Sequence, residues 1–128
     1  MDWQDTALVA AGIIGSSVAV IHGALTQRLM VRPVDALLRA SKPAPAAIRR
    51  LVPLLLQFST FNWFLGGLAL IAAALWLGPE ARLATGVLVG SSYLFGAAGN
   101  LWGTRRLHPG WVLYAVALVL IAFGLAGG

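Results

Sequence analysis

Charged residues divide this chain into four long apolar runs. Residues 6–27, 51–79, 83–104 and 109–128 hold no Asp, Glu, Lys or Arg, and they span 22, 29, 22 and 20 residues. A helix needs about 20 mainly apolar residues to cross the hydrocarbon core of a bilayer, so each run is long enough. The pattern predicts an all-α membrane protein, a single-domain bundle of four transmembrane helices at about 6–28, 51–77, 82–103 and 110–126. The breaks carry fitting punctuation. Residues 28–50 contain Pro33, Pro43 and Pro45, and Leu77-Gly78-Pro79-Glu80 reads as a tight turn whose proline stops a helix. Residues 104–110 form a second short turn that puts Pro109 near the first position of the last helix. Trp3, Trp76, Trp102 and Trp111 fall near run ends, where aromatic belts form, whereas Trp63 lies well inside the second run.

Composition agrees with the pattern. The chain is 59% hydrophobic and 10% charged, with a mean hydropathy of +0.85. A soluble domain carries about a quarter of its residues as charged side chains, so a water-facing surface could not be covered here. Eight of the nine basic residues, Arg28, Arg32, Arg39, Lys42, Arg49, Arg50, Arg105 and Arg106, fall in the first and third breaks. Arg82, Asp2, Asp5 and Glu80 take the other side. The positive-inside rule then places both termini outside the cytoplasm of a bacterial inner-membrane protein, with a basic cytoplasmic loop at 28–50. Residues 31–39 read as a short amphipathic helix on the inner leaflet, where anionic lipids are an expected partner. The net charge of +5 does not point to nucleic acid, because the basic residues lie between apolar runs and form no stripe on one face. The acidic start before the first run leads us to expect a retained anchor and no cleaved signal peptide. With no cysteine, disulfide and thiolate chemistry is excluded.

Small residues mark where helices approach in lipid. The first run offers Ala11, Gly15 and Ala19, and the third has Gly86/Gly90 and Gly99/Gly103 with Gly96 between them. The fourth is apolar apart from Tyr114. The first three helices are therefore expected to form the polar core, and the fourth to face lipid or a partner.

Polar side chains within apolar runs are expensive and mark candidate sites. His22 and Thr26 lie late in the first run, Gln57, Ser59 and Asn62 early in the second, and Tyr93 and Asn100 late in the third. At about 1.5 Å per residue these positions fall at similar depths, which predicts one polar layer open toward the cytoplasm. Bonds from His22 to Gln57 or Asn100 would hold it together. With no carboxylate, Lys or Arg inside any run, a proton relay or an acid–base pair has no parts, and no Gly-x-Ser-x-Gly elbow is present. No enzymatic activity and no cofactor is expected. Haem or a pigment metal on His22 would lack a second ligand, since the other histidine, His108, sits in the charged turn, where capping or interfacial snorkelling beside Arg105 and Arg106 is its expected role.

The segments His22-Gly23-Ala24-Leu25-Thr26-Gln27-Arg28, Pro33, Ser59-Thr60 with Trp63, and Thr104-Arg105-Arg106-Leu107-His108-Pro109-Gly110-Trp111 resemble a group of small four-helix bacterial inner-membrane proteins with no assigned activity. That group has Gly-Glu at Thr26-Gln27, Trp-His at Leu56-Gln57, and Arg-Gly-Arg-His in the last turn. The resemblance implies the same topology, with one intramembrane histidine and one acid absent here. Length and helix number are also similar to the eicosanoid and glutathione membrane enzymes. Asn62 and Asn100 fit that likeness, but the Glu and Arg those enzymes carry within helices have no counterpart.

The leading expectation is an accessory, assembly or interaction subunit of a larger membrane complex, with a membrane-protein partner or self-association. The alternative is a binding module for a lipid, quinone or tetrapyrrole at the polar layer. A small oligomeric transporter or channel comes third, with Ser16, Ser17, Ser91 and Ser92 as its main pore candidates in the outer halves.

Overall fold

In the computed structural model, residues 1–40 and 44–126 are described. Asp2 opens the first helix as a capping box: its carboxylate accepts the Asp5 N–H at 2.8 Å, and the Asp5 carboxylate accepts the Asp2 N–H at 3.2 Å. Helix α1 runs Trp3–Thr26, passes through a π-helical turn at Gln27–Val31 and continues as α2, Arg32–Ala40. Then come α3 (Ala46–Trp76), α4 (Pro79–Thr104) and α5 (Pro109–Leu125), with no strand among the described residues.

Two helical stretches are long and apolar enough to cross a membrane, Trp3–Ala40 at 38 residues and Ala46–Trp76 at 31. Pro109–Leu125 is apolar but shorter, at 17 residues. Outward positions are also apolar: Leu54, Leu88 and Phe95 are 68%, 73% and 79% exposed.

The expected loop at 28–50 is largely helix. Its described residues are helical except Ala44 and Pro45, and α3 begins at Ala46, before the expected Leu51. Arginine ends an apolar run, yet it is a good helix former, so charge alone did not mark the helix ends. Pro33 offers no N–H to the Leu29 carbonyl and crowds it, and the wide π turn just before it opens the ladder at that point. Lys42 lies outside the described residues. The amphipathic segment expected at 31–39 is α2, which buries no residue and holds an Asp35–Arg39 pair at 3.0 Å. Pro79 does more than stop α3, since it is the first residue of α4. Arg105 ends α4 in the left-handed region (φ 49°), and His108 caps α5 as expected, its Nδ1 accepting the Gly110 N–H at 3.1 Å.

The bundle is antiparallel. Helix α1 packs on α3 and α5, and α4 packs on α5 and more lightly on α3, so α1 and α4 stand diagonally opposite. One end therefore carries Arg28, Arg32, Arg49, Arg50, Arg105 and Arg106, and the other carries Arg82 with Asp2, Asp5 and Glu80. The fourth long helix does not simply face outward as expected, because Tyr114, Ala117, Ile121 and Gly124 of α5 are buried. In an apolar setting small residues, more than polar ones, decide which face packs: Leu8 of α1 closes onto Gly124, where a Cβ would lie 2.5 Å from its Cγ.

Glycine contacts divide sharply. Gly12 of α1 and Gly67 of α3 touch so closely that a Cβ on either would sit 2.5 Å from the other's carbonyl oxygen. Gly86 seats Leu125, with a Cβ position 2.7 Å from its Cδ1, while Gly90 makes only an ordinary 3.8 Å contact. Gly99 and Gly103, expected to pack helices, have nothing within 4 Å of a Cβ position, and Gly99 borders open space among α1, α3 and α4. Gly67→Ala should therefore cost about 1–3 kcal/mol by overpacking, whereas Gly99→Ala should stay within about 0.5 kcal/mol of wild type. Reversible unfolding in detergent measures both.

Candidate functional site

Each long helix sends one ring to a common centre. His22 (α1) meets Trp63 (α3) edge-on with centroids 4.8 Å apart, Trp63 meets Tyr114 (α5) at 5.0 Å, and Tyr114 lies tilted against Tyr93 (α4) at 4.8 Å. Such pairs contribute about 0.5–1.5 kcal/mol each beyond the area they bury. Glycines make the space. Tyr93 reaches across the bundle diagonal onto Gly15 and donates its hydroxyl to the Trp63 carbonyl at 3.2 Å. Trp63 in turn lies on Gly96, where a Cβ would stand 2.6 Å from the indole. Tyr93 and Tyr114 are 0% and 1% exposed, yet only Tyr93 has a hydrogen-bond partner: the Tyr114 hydroxyl has none among the described residues.

The expected polar layer is split by the helices. His22 pairs with Thr26 on its own helix, Nε2 to Oγ1 at 3.2 Å, and meets neither Gln57 nor Asn100 in a hydrogen bond. Asn100 also turns inward on its own helix and donates to the Gly96 carbonyl at 2.8 Å. Gln57 does cross, donating to the Gly23 carbonyl at 3.0 Å and to Gln27 Oε1 at 3.3 Å, which ties α3 to the start of the π turn. Asn62 lies apart with Tyr93 and Ser92, along an opening of about 300 Å³ between α3 and α4. Of the outer serines, Ser16 donates to the Phe64 carbonyl at 3.2 Å and Ser91 to the Val87 carbonyl at 2.8 Å.

Two cavities meet at His22 and Asn100, which line both. One, of about 270 Å³, lies among α1, α3 and α4 and is walled by Thr26, Met30, Ser59 and Trp63. The other, of about 150 Å³, lies between α1 and α5, walled by Val18, Tyr114 and the His108–Gly110 turn, with Ile21, Leu25 and Leu113 at its rim. Spacing along the chain could not show that His108 joins His22 at one cavity, because the turn before α5 folds back over the end of α1. Among the described residues no group of three His, Asp or Glu converges as a metal site.

A further polar contact was invisible in the sequence. Arg82 of α4 pairs with Asp5 of α1 at 2.8 Å and donates to the Ala74 carbonyl of α3 at 3.1 Å, so one half-buried guanidinium joins three helices at the end opposite the cavities. It also satisfies a carbonyl left free in the last turn of α3.

No known protein family, curated protein or solved structure matches the chain.

The two tyrosines should respond differently to loss of the hydroxyl. Tyr93→Phe should cost about 1 kcal/mol for the lost bond to the Trp63 carbonyl. Tyr114→Phe should be neutral or slightly stabilising, because it removes a buried donor that has no acceptor. Unfolding of both variants in the same detergent checks this.

Proposed function

We propose that the chain is a multi-pass protein of a bacterial inner membrane, crossing four times with both termini outside the cytoplasm, and that it binds a small molecule. The apolar outer surface and the gathering of arginines at one end of the bundle support the membrane placement. Helix α2, amphipathic and with no buried residue, then lies among the headgroups on the cytoplasmic side, where Arg32 and Arg39 meet anionic lipid.

The observation that carries the binding role is the cavity between α1 and α5. It gathers His22, Asn100, His108 and Tyr114, and the buried Tyr114 hydroxyl lacks a partner. A mostly apolar cavity with a few convergent polar side chains is what a small-molecule site requires. An accessory-subunit role is the second reading. It is favoured by the bare face of α4 at Gly99 and Gly103, beside Trp102 at 77% exposure, where another helix could approach.

Native mass spectrometry on protein extracted gently from its own membranes tests both. The binding reading predicts a fixed additional mass on the wild-type chain that is missing from Leu113→Trp, a change at the exposed rim of the cavity. Identical adducts on both proteins would contradict it. A larger stable assembly would favour the subunit reading.

A further inference from the structure

We infer that the groove among α1, α3 and α4 holds one acyl chain of an acidic phospholipid, with the lipid phosphate on Arg49. This goes beyond the cavity at α5 and rests on the membrane placement proposed above.

Shape points to a chain. The opening of about 270 Å³ has Met30, Leu56, Trp63, Phe95, Gly96 and Gly99 in its wall. From Leu56 to Trp63 it runs about 10 Å along α3 at about 1.5 Å per residue, which leaves a slot about 5 Å across. Gly99 has nothing within 4 Å of a Cβ position, so that part of the wall is bare backbone. Buried Trp63 closes the inner end, while exposed Met30 and Phe95 leave the flank open. In a membrane that flank meets hydrocarbon.

Charge points to the headgroup. The stripe of α3 that gives Trp63, Ser59 and Leu56 to the groove continues at helical spacing through Val52 to Arg49. Arg49 is half-buried, and every other residue of 46–51 is exposed, so this stripe is the inward one. Gln57 meets Gly23 and Gln27 across the helix pair, which brings Arg49 level with the start of α2. Among the described residues Arg49 has neither an ion pair nor a hydrogen bond. The one acid at this end, Asp35, is held by Arg39 at 3.0 Å. Burial of the Arg49 Nε leaves the terminal nitrogens to meet a partner, and a guanidinium suits a phosphate. Helix side chains lean toward the helix N-terminus, so Arg49 reaches out of the slot to headgroup depth. The two turns between Leu56 and Arg49 leave room for the glycerol ester linkage. Basic residues at the cytoplasmic end of a groove between helices are what acidic headgroups recognise.

Native mass spectrometry of detergent-extracted protein tests this by titration with dioleoyl phosphatidylglycerol. Dioleoyl phosphatidylcholine supplies the same tails without net charge. Wild type should bind one phosphatidylglycerol saturably, and phosphatidylcholine at least about tenfold more weakly. Arg49→Gln should weaken phosphatidylglycerol about tenfold by loss of a charged hydrogen bond. Arg50→Gln removes the same charge from the exposed side and should change affinity by less than about twofold. Gly99→Leu should abolish binding by filling the slot. Equal binding of the two lipids, equal loss in Arg49→Gln and Arg50→Gln, or full binding by Gly99→Leu overturns the inference. Displacement of the lipid by inorganic phosphate alone overturns it too, as does a dimer broken by Gly99→Leu, which would put a second helix in the groove. Leu113→Trp closes the other cavity and should leave the lipid bound, so the two sites fail separately. Recovery of the chain from cells without detergent would overturn the membrane placement itself.

Discussion

Aromatic rings can meet at the centre of this bundle only because two glycines stand opposite them. Tyr93 crosses from α4 to lie on Gly15 of α1, and Trp63 crosses from α3 to lie on Gly96 of α4. The two seats fix how far α1, α3 and α4 stand apart and in which register. Tyr114 then fills the space from α5, and His22 ends the series against Trp63. In the membrane placement proposed above, apolar side chains would gain nothing by leaving the solvent, and shape complementarity of this kind would supply the association energy. The Gly12–Gly67 contact and the Leu8–Gly124 contact extend the same principle toward the other end, where Arg82 clamps three helices.

The candidate site is a consequence of that packing. Toward the arginine-rich end the ring cluster borders two cavities, and His22 and Asn100 line both. The turn before α5 closes one of these, with His108 serving as helix cap and cavity wall at once. Tyr114 belongs both to the ring cluster and to the cavity. A ligand in that cavity would therefore touch a side chain of the ring cluster, and its binding would stabilise the bundle as a whole.

Much of this was legible along the chain and some was not. The spacing of charges located four long helices, and Trp63 already stood out as the tryptophan away from any run end. Helix ends were misplaced where an arginine inside a helix was read as a break, as at Arg49 and Arg50 within α3, whereas Arg105 does end α4. The polar residues were found, but their partners were not, because Gln57, Asn100, Ser16 and Tyr93 all bond to backbone carbonyls. A backbone carbonyl leaves no mark in the sequence. Gly99–Gly103 has the same spacing as Gly86–Gly90, yet only Gly86 makes a close contact, because what faces a glycine depends on the register of a helix far away in sequence. Tyr114 was visible as the one polar side chain of its run, and its role stayed hidden as long as that helix was expected to face lipid.

The bundle depends on the ring-on-glycine seats, and a double-mutant cycle between Gly15 and Tyr93 tests them most directly. Unfolding in detergent would be measured for wild type, Gly15→Ala, Tyr93→Leu and the double variant. The seat predicts that Gly15→Ala is strongly destabilising alone and nearly harmless once Tyr93→Leu has removed the ring. An equal cost of Gly15→Ala in both backgrounds would mean that Tyr93 does not lie on Gly15, and the arrangement built on that contact would be wrong.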